Sequence, residues 1–156
     1  MPLISRRASY GLRAVYRLAE LADSGGSATI AELAETEHLP RKYLEQTILA
    51  LRQAGIIESR RGPGGGCRLA RPAEAITVGD VVRTLDGELR PGHCLETDAP
   101  DHGDCPGCWG FRHCAIRELW LQLAEAIDRE LGSVTIADLQ VRQRQLAGQH
   151  TPDYQI

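Results

Sequence analysis

Apolar side chains recur at helical spacing near the start of the chain. Between residues 9 and 22 they repeat three or four positions apart, which predicts one amphipathic helix. The repeating positions are Leu12, Val15, Tyr16 and Ala19. The polar run SGGS at 24–27 ends this helix. Thr29 and Glu32, in TIAE, have the spacing of a capping box and predict a short second helix through Glu35.

A third helix is predicted over residues 40–54, again from helical spacing. Its apolar face consists of Leu44, Ile48 and Leu51. The opposite face carries Lys42, Gln46 and Gln53, flanked by Arg41, Glu45 and Arg52. Two short helices joined by a tight turn, the second presenting amides and basic groups, are typical of a helix-turn-helix that binds DNA. A three-helix bundle with a solvated outer face is the alternative interpretation.

Residues 56–70, IIESRR-GPGGG-CRLA, predict two short β-strands around a glycine-rich tip. Arg60 and Arg61 enter the tip and Arg68 leaves it. A thin hairpin of this kind can approach the DNA backbone or enter a minor groove, so we interpret it as the wing of a winged helix-turn-helix. The glycines are not followed by the Gly-Lys-Ser/Thr of a phosphate-binding loop, which argues against a nucleotide site. A merely flexible hairpin is the alternative.

The second half of the chain predicts a short, a long and a closing helix. The short helix is capped by Thr77 and Asp80, and the closing helix begins at Thr135. The long helix covers about 113–131, and 19 residues at a rise of about 1.5 Å make a rod of about 28 Å. Its length and apolar stripe predict packing against a two-fold copy of the chain. The residues expected at this homodimer interface are Ile116, Leu119, Trp120, Leu123 and Ile127.

The expected fold is mainly α with a small β-hairpin wing, a winged helix-turn-helix followed by a long dimerisation helix. Its expected parts are a DNA-binding domain at 1–72, a connecting helix and linker at 73–92, a cysteine-rich loop at 93–114, the dimerisation and closing helices at 113–147, and a disordered tail at 148–156. With 156 residues and 42% hydrophobic content, the chain can bury a core of aliphatic side chains. No run approaches the roughly 18 to 20 apolar residues of a membrane span, and the N-terminus lacks a signal peptide, so we expect a cytoplasmic protein.

The charges are divided unevenly along the chain. Residues 1–72 contain 11 Lys and Arg against 7 Asp and Glu, whereas residues 73–156 contain 7 against 14. The two parts therefore carry +4 and −7 within a total of −3. A basic part joined to an acidic part predicts that only the first meets a polyanion. With the helix-turn-helix and the wing, the partner expected is double-stranded DNA.

Four of the five cysteines lie close together, at Cys94, Cys105, Cys108 and Cys114. In a reducing cytoplasm such a group is more often a metal or redox site than a set of disulfides. Thiolates bind soft and borderline cations, and the glycines and prolines of this loop allow four of them to surround one centre. The spacing fits zinc and iron–sulfur sites alike, with a dithiol redox switch as a third alternative. Cys67 stands apart and is predicted to be a small packing residue.

Four segments of the sequence are distinctive enough to indicate a protein family. They are SRRASYGLRA at 5–14, KYLEQ at 42–46, RGPGGG at 61–66 and CAIRELW at 114–120. Together they resemble the family of winged-helix regulators that includes IscR, NsrR, RirA and CymR, from residue 1 to about residue 140. The resemblance implies a homodimer with crossed long helices that binds imperfect palindromes. Many members use an iron–sulfur cluster to sense iron, cluster supply, nitric oxide or redox state.

The resemblance also implies which residues bind DNA. Lys42, Tyr43, Glu45 and Gln46 match major-groove contacts of the recognition helix, and Arg61 with the glycines after it matches the wing. The DNA-binding residues expected from the pattern and the resemblance together are Arg41, Lys42, Tyr43, Glu45, Gln46, Arg60, Arg61, Gly62, Gly64 and Gly65.

The cysteine loop departs from the patterns of its relatives. The five-residue interval between Cys108 and Cys114 matches two cluster cysteines of IscR-like members. However, Arg117 stands where those members have a histidine ligand, and Ala8-Ser9 where NsrR-like members have an acidic one. Ligation of a 2Fe–2S or 4Fe–4S cluster by the four cysteines alone is therefore the simplest expectation. Lesser candidate ligands are His93, His102 and His113.

The expected function is that of a dimeric DNA-binding transcription regulator whose operator affinity is switched by an iron–sulfur cluster. The alternatives are a DNA-binding regulator with a structural zinc or a thiol-based redox switch, and a small iron–sulfur carrier protein. The carrier alternative leaves the winged half of the chain unexplained. No cysteine–histidine or serine–histidine arrangement stands out from the loop, so we do not expect an enzyme.

Overall fold

In a computed structural model the chain is described over residues 3–60, 62, 65–92, 95 and 114–149. This part is mainly helical with one β-hairpin, which confirms the predicted fold class. The helices are α1 (Arg6–Ala22), α2 (Ile30–Thr36), α3 (Arg41–Gln53), α4 (Val78–Asp86), α5 (Ala115–Ser133) and α6 (Ile136–Gln149), and the strands are β1 (Ile57–Arg60) and β2 (Gly66–Leu69). None of these helices is long and apolar enough to cross a membrane. Residues 148 and 149 belong to α6, and the rest of the predicted tail lies outside the described residues.

α1 begins at Arg6, three residues before the start predicted at Ser9. Ser5 is its N-cap, because the Ser5 hydroxyl accepts a hydrogen bond from the Ala8 NH at 3.1 Å. Ser5 also donates its own backbone NH and its hydroxyl to the Asp86 carboxylate, at 2.8 and 2.5 Å. The first turn of α1 is arginine-rich rather than apolar, so hydrophobic periodicity could not reveal it.

Capping residues begin α2, α4 and α6 at the positions where sequence signals predicted helix starts. At α2 the Thr29 hydroxyl accepts from the Glu32 NH at 3.2 Å, and the Glu32 carboxylate accepts from the Thr29 NH at 2.7 Å. The bond from the Thr29 NH holds the pKa of Glu32 below its usual value. The same reciprocal exchange joins Thr77 to Asp80 and Thr135 to Asp138.

α1, α3 and α4 approach one another closely at Gly11. A Cβ on Gly11 would lie 2.2 Å from Leu85 Cδ1 and 3.1 Å from Thr47 Cγ2, so glycine is needed between these helices. The buried side of α3 consists of the predicted Leu44, Ile48 and Leu51, together with Thr47. This packing fixes α3 against α1 and α4 and leaves the other face of α3 to solvent.

The hairpin is anchored to the segment that precedes α2. β1 and β2 pair antiparallel, with Arg60 opposite Gly66. Cys67 is buried in β2 and exchanges two backbone hydrogen bonds with Ala28, at 2.7 and 3.1 Å. A Cβ on Gly66 would lie 2.8 Å from the carbonyl oxygen of Ala28, so the two backbones are in contact. Cys67 is therefore a packing residue, as predicted.

The C-terminal end of α5 packs against the N-terminal end of α4. The Val78 NH donates to the Val134 carbonyl at 2.9 Å. A Cβ on Gly79 would lie 3.2 Å from the backbone nitrogen of Gly132. The backbones of the two helices are therefore in close contact at this pair of glycines. This close contact joins the long helix to the winged half of its own chain.

Candidate nucleic-acid interface and metal centre

α3 presents a polar face to solvent. Lys42, Glu45 and Gln46 are exposed on this face, and Arg41 is exposed beside them. The Arg41 Nε donates to the Glu45 Oε1 at 3.1 Å, so the two side chains partly neutralise each other. The face combines a cation, a carboxylate and an amide, which are groups that hydrogen-bond phosphates and base edges.

Leu49 lies on the same face and is not among the residues expected to bind DNA. It is 52% exposed. Lys42, Glu45, Gln46 and Leu49 stand at positions i, i+3, i+4 and i+7, which share one side of a helix. Hydrophobic patterning assigns a leucine in an amphipathic helix to the core. The sequence nevertheless gives one indication that Leu49 is exposed, because it falls outside the buried series of Leu44, Ile48 and Leu51.

Tyr43 stands at the edge of this face and is held by a second tyrosine. Its ring lies edge-on to the ring of Tyr10 in α1, with centroids 5.8 Å apart and planes at 83°. The Tyr43 carbonyl also accepts from the Thr47 hydroxyl at 3.0 Å. Tyr43 is 38% exposed, so a positioned aromatic ring remains accessible beside Lys42.

The wing tip follows directly from β1. Arg60 is exposed at the end of that strand. Gly62 has a φ of +102°, a conformation that favours glycine, and its carbonyl accepts from the Gly65 NH at 2.8 Å. Arg61 and Gly64 lie outside the described residues. The described part of the tip is thus a tight turn, poor in side chains, beside an exposed arginine.

Cys114 is the one predicted metal ligand within the described part of the chain. It is the N-cap of α5, its thiol is free and half-buried, and it lies where the helix dipole favours a thiolate. Cys94, Cys105 and Cys108 lie outside the described residues. Among the described residues, no group of three or more His, Cys, Asp or Glu side chains could hold a metal ion.

The two ends of the cysteine-rich loop lie near the same end of α5. Gly92, with a φ of +111°, packs so closely on the indole of Trp120 that a Cβ there would lie 2.9 Å from its Cδ1. Trp120 stands six residues, or about 9 Å of helix, after Cys114. Leu95 is buried, and its NH donates to the Gly92 carbonyl at 3.0 Å. The chain therefore enters and leaves this loop within a short distance of the start of α5.

Part of the apolar stripe of α5 is exposed to solvent, and part packs within the chain. Ile116, Leu119 and Leu123 are 64, 56 and 40% exposed. Ile127 instead packs against the chain's own core, and Trp120 is half-buried. The first three residues form an uncovered apolar face on the N-terminal half of α5. The other two of the predicted interface residues already have contacts within the chain.

Residues 4–142 match the family model Rrf2, which is described as an iron-dependent transcriptional regulator. The chain belongs to the Rrf2 family. This match covers the winged half and the long helix together, and it confirms the family indicated by the sequence motifs. Rrf2 proteins are transcriptional regulators, so this Rrf2 chain is a regulator and not an enzyme.

Two regulators are similar to this Rrf2 chain over most of its length. The regulator CymR of Bacillus subtilis is 35% identical over 136 residues, which are 87% of this chain and 88% of CymR. The regulator IscR of Yersinia pseudotuberculosis is 33% identical over 136 residues, which are 86% of this chain and 78% of IscR. The chain thus has similar relatives under both names.

Solved structures of the same two regulators share its fold. The structure of CymR (YrzC), the global cysteine regulator of B. subtilis, matches with a TM-score of 0.66 and 36% identity over 89% of this chain and 96% of that one. IscR of T. potens matches with a TM-score of 0.70 and 30% identity over 90% and 87%. The Rrf2 fold, a winged helix-turn-helix followed by a long helix, is therefore the fold of this chain.

Proposed function

We propose that this Rrf2 protein is a homodimeric DNA-binding regulator whose operator affinity is controlled by an iron–sulfur cluster held by Cys94, Cys105, Cys108 and Cys114. The contact between Gly92 and Trp120 carries the proposal. It brings the entry of the cysteine-rich loop to the end of α5 where Cys114 lies. Four thiolates supplied by one closed loop are a suitable donor set for a single centre.

The reach of the chain supports ligation by both ends of the loop. Cys94 follows Gly92 by two residues, which span at most about 7 Å. Cys114 precedes Trp120 by about 9 Å of helix. The two cysteines can therefore reach one centre near the start of α5, and Cys105 and Cys108 would complete it from within the loop. When bound, the cluster would supply a centre whose presence depends on iron, sulfide and oxidants.

For DNA binding, we assign α3 to the major groove and the hairpin tip to the backbone or minor groove. Lys42, Glu45 and Gln46 present charge and hydrogen-bonding groups on one exposed face. Arg60, with Arg61 after it, supplies positive charge at the wing. Because the wing is anchored to the segment before α2, both contacts would move as one body.

For assembly, we assign the uncovered face of α5 to a second copy of the chain. Ile116, Leu119 and Leu123 would pack against the same residues of the partner across a two-fold axis. Since α5 is packed against α4 in the same chain, the axis would also fix the spacing between the two recognition helices.

The loop could affect α3 through residues that lie between them. Tyr43 of α3 lines a cavity of about 680 Å³ together with Ser5, Asp86 and Gly92. Asp86 ends α4 and binds Ser5 at the start of α1, and Gly92 lies two residues before Cys94. A change in the loop would therefore reach the surroundings of Tyr43, because Gly92, Asp86 and Ser5 line the same cavity as Tyr43.

A thiol-based switch without a metal is the second candidate function. It is favoured by the similarity to CymR, because a Staphylococcus aureus CymR structure described as an oxidised form matches with a TM-score of 0.66 and 33% identity. The cysteines would then respond by oxidation alone. Iron and sulfide content separates the two candidates.

The cluster is tested by anaerobic purification followed by an absorption spectrum and by iron and acid-labile sulfide analysis. We expect a coloured protein with iron and sulfide in similar amounts. Serine at Cys94, Cys105, Cys108 or Cys114 should bleach or destabilise the chromophore, whereas Cys67→Ser, in the wing strand, should not. A colourless wild-type protein with one zinc, or with no metal, would overturn the proposal.

DNA binding is tested with an operator duplex selected from a randomised pool by the wild-type protein. Gln46→Ala should lower discrimination between the operator and mutated operators by about 1 to 3 kcal/mol, the usual scale for a base contact. Arg61→Ala should weaken binding to all sequences and reduce its salt dependence. Unchanged binding by both variants would refute the assignment of α3 and the wing.

A further inference from the structure

Leu49 is an exposed leucine in the middle of the face of α3 that we assign to DNA. It is 52% exposed, whereas Leu44, Ile48 and Leu51 on the other side of the helix are 1% exposed or less. A single exposed leucine is common on protein surfaces and carries no meaning by itself. The significance of Leu49 lies in the residues beside it.

The spacing of Leu49 places it in line with the polar residues of this face. It follows Gln46 by three residues, Glu45 by four and Lys42 by seven, so the four side chains project from the same side of α3. Homeodomain recognition helices read base edges with the same i, i+3, i+4, i+7 spacing. A helix that presents Glu45 and Gln46 to a major groove therefore also brings Leu49 to it.

The ion pair between Arg41 and Glu45 keeps the Glu45 side chain from covering Leu49. The Glu45 carboxylate binds Arg41, one turn towards the start of the helix. Leu49 lies one turn in the opposite direction, so this hydrogen bond directs the Glu45 side chain away from it. The leucine methyl groups are therefore available for contact.

The chemistry of leucine restricts what Leu49 can recognise. Its side chain has no donor or acceptor, and the C5-methyl group of thymine is the apolar feature that distinguishes one base edge in the major groove. We propose that Leu49 reads thymine in the operator by packing against this methyl group. The inference rests on the proposed DNA-binding function of α3 and adds a base preference to it.

The test uses an operator duplex selected from a randomised pool by the wild-type protein, with each thymine replaced in turn by deoxyuridine. This replacement removes only the methyl group. We expect a thymine in each half-site whose replacement weakens wild-type binding about fourfold, which corresponds to ~0.8 kcal/mol for one buried methyl group. Leu49→Ala should bind the thymine and deoxyuridine duplexes equally, and Leu49→Met should keep the preference.

Leu146→Ala is the matched control, because Leu146 is a 38% exposed leucine on α6, away from α3. It should keep the full fourfold preference, and the thermal midpoints of both alanine variants should match the wild type. The inference is overturned if no thymine is sensitive in the wild type, or if Leu49→Ala remains as sensitive as the wild type. A wild-type protein that selects no duplex would instead refute the DNA-binding function itself, and the inference with it.

Discussion

The Asp86 carboxylate at the end of α4 accepts two hydrogen bonds from Ser5, which caps the start of α1. One comes from the Ser5 backbone NH and the other from its hydroxyl. The two residues are 81 positions apart in the chain. This pair fixes the linker that leads to Cys94 against the first turn of the winged domain.

Asp86→Ala should therefore destabilise the fold. It removes a charged acceptor from a partly buried NH and a hydroxyl, which should cost about 1 to 3 kcal/mol in the free energy of unfolding. Urea denaturation measures the loss. Asp128→Ala is the control, because Asp128 makes only a half-exposed ion pair with Arg83 at 3.8 Å and should cost about 0 to 1 kcal/mol. Equal losses in the two variants would contradict a structural role for the pair between Asp86 and Ser5.

Leu123→Asp should abolish the dimer. Leu123 is 40% exposed in the chain, and an aspartate there would place an unpaired charge in the proposed seam. Light scattering at micromolar concentration should find a dimer for the wild type and a monomer or insoluble protein for the variant. Val141→Asp, at an exposed position on α6, is the control and should remain dimeric. A monomeric wild type, or a dimeric Leu123→Asp, would refute the assignment of this face.

Gly92→Ala should lower the iron content of the anaerobically purified protein. Its Cβ would lie 2.9 Å from the Trp120 ring, so the entry of the cysteine-rich loop would have to move. Gly87→Ala is a closely matched control, because Gly87 also has a positive φ, of +77°, but a Cβ there would meet nothing within 4 Å. Both variants carry backbone strain, and only Gly92→Ala adds the clash. Equal iron content in the two would show that the contact with Trp120 does not position the loop.

The parts of this fold that the sequence predicts are those determined by residues close together in the chain. The capping boxes at Thr29 and Thr77 and the buried stripe of α3 depend on residues three or four positions apart, so the sequence predicts them and the structure confirms them. The predicted start of α1 is too late, because its first turn is arginine-rich and hydrophobic periodicity does not reach it. The contact between Ser5 and Asp86 is not part of any local pattern. Distant contacts of this kind require the three-dimensional arrangement.

The candidate site was predictable to a similar extent. The polar face of α3 follows from the spacing of its residues, whereas the exposure of Leu49 does not, because patterning assigns an apolar residue in an amphipathic helix to the core. Periodicity predicts the apolar stripe of α5 as one continuous interface. It cannot show which residues of the stripe pack within the chain and which are left exposed. Leu123 is uncovered, whereas Ile127 packs on its own chain, because α4 packs against the C-terminal half of α5.

Control of operator affinity by the cluster requires that protein with and without the cluster bind DNA differently. Operator dissociation constants are measured anaerobically at fixed salt for one preparation of the wild type, before and after removal of its iron and sulfide. We expect the two constants to differ by at least about fivefold, the lower end of typical coupling between two sites. Equal constants for the two forms would contradict control by the cluster.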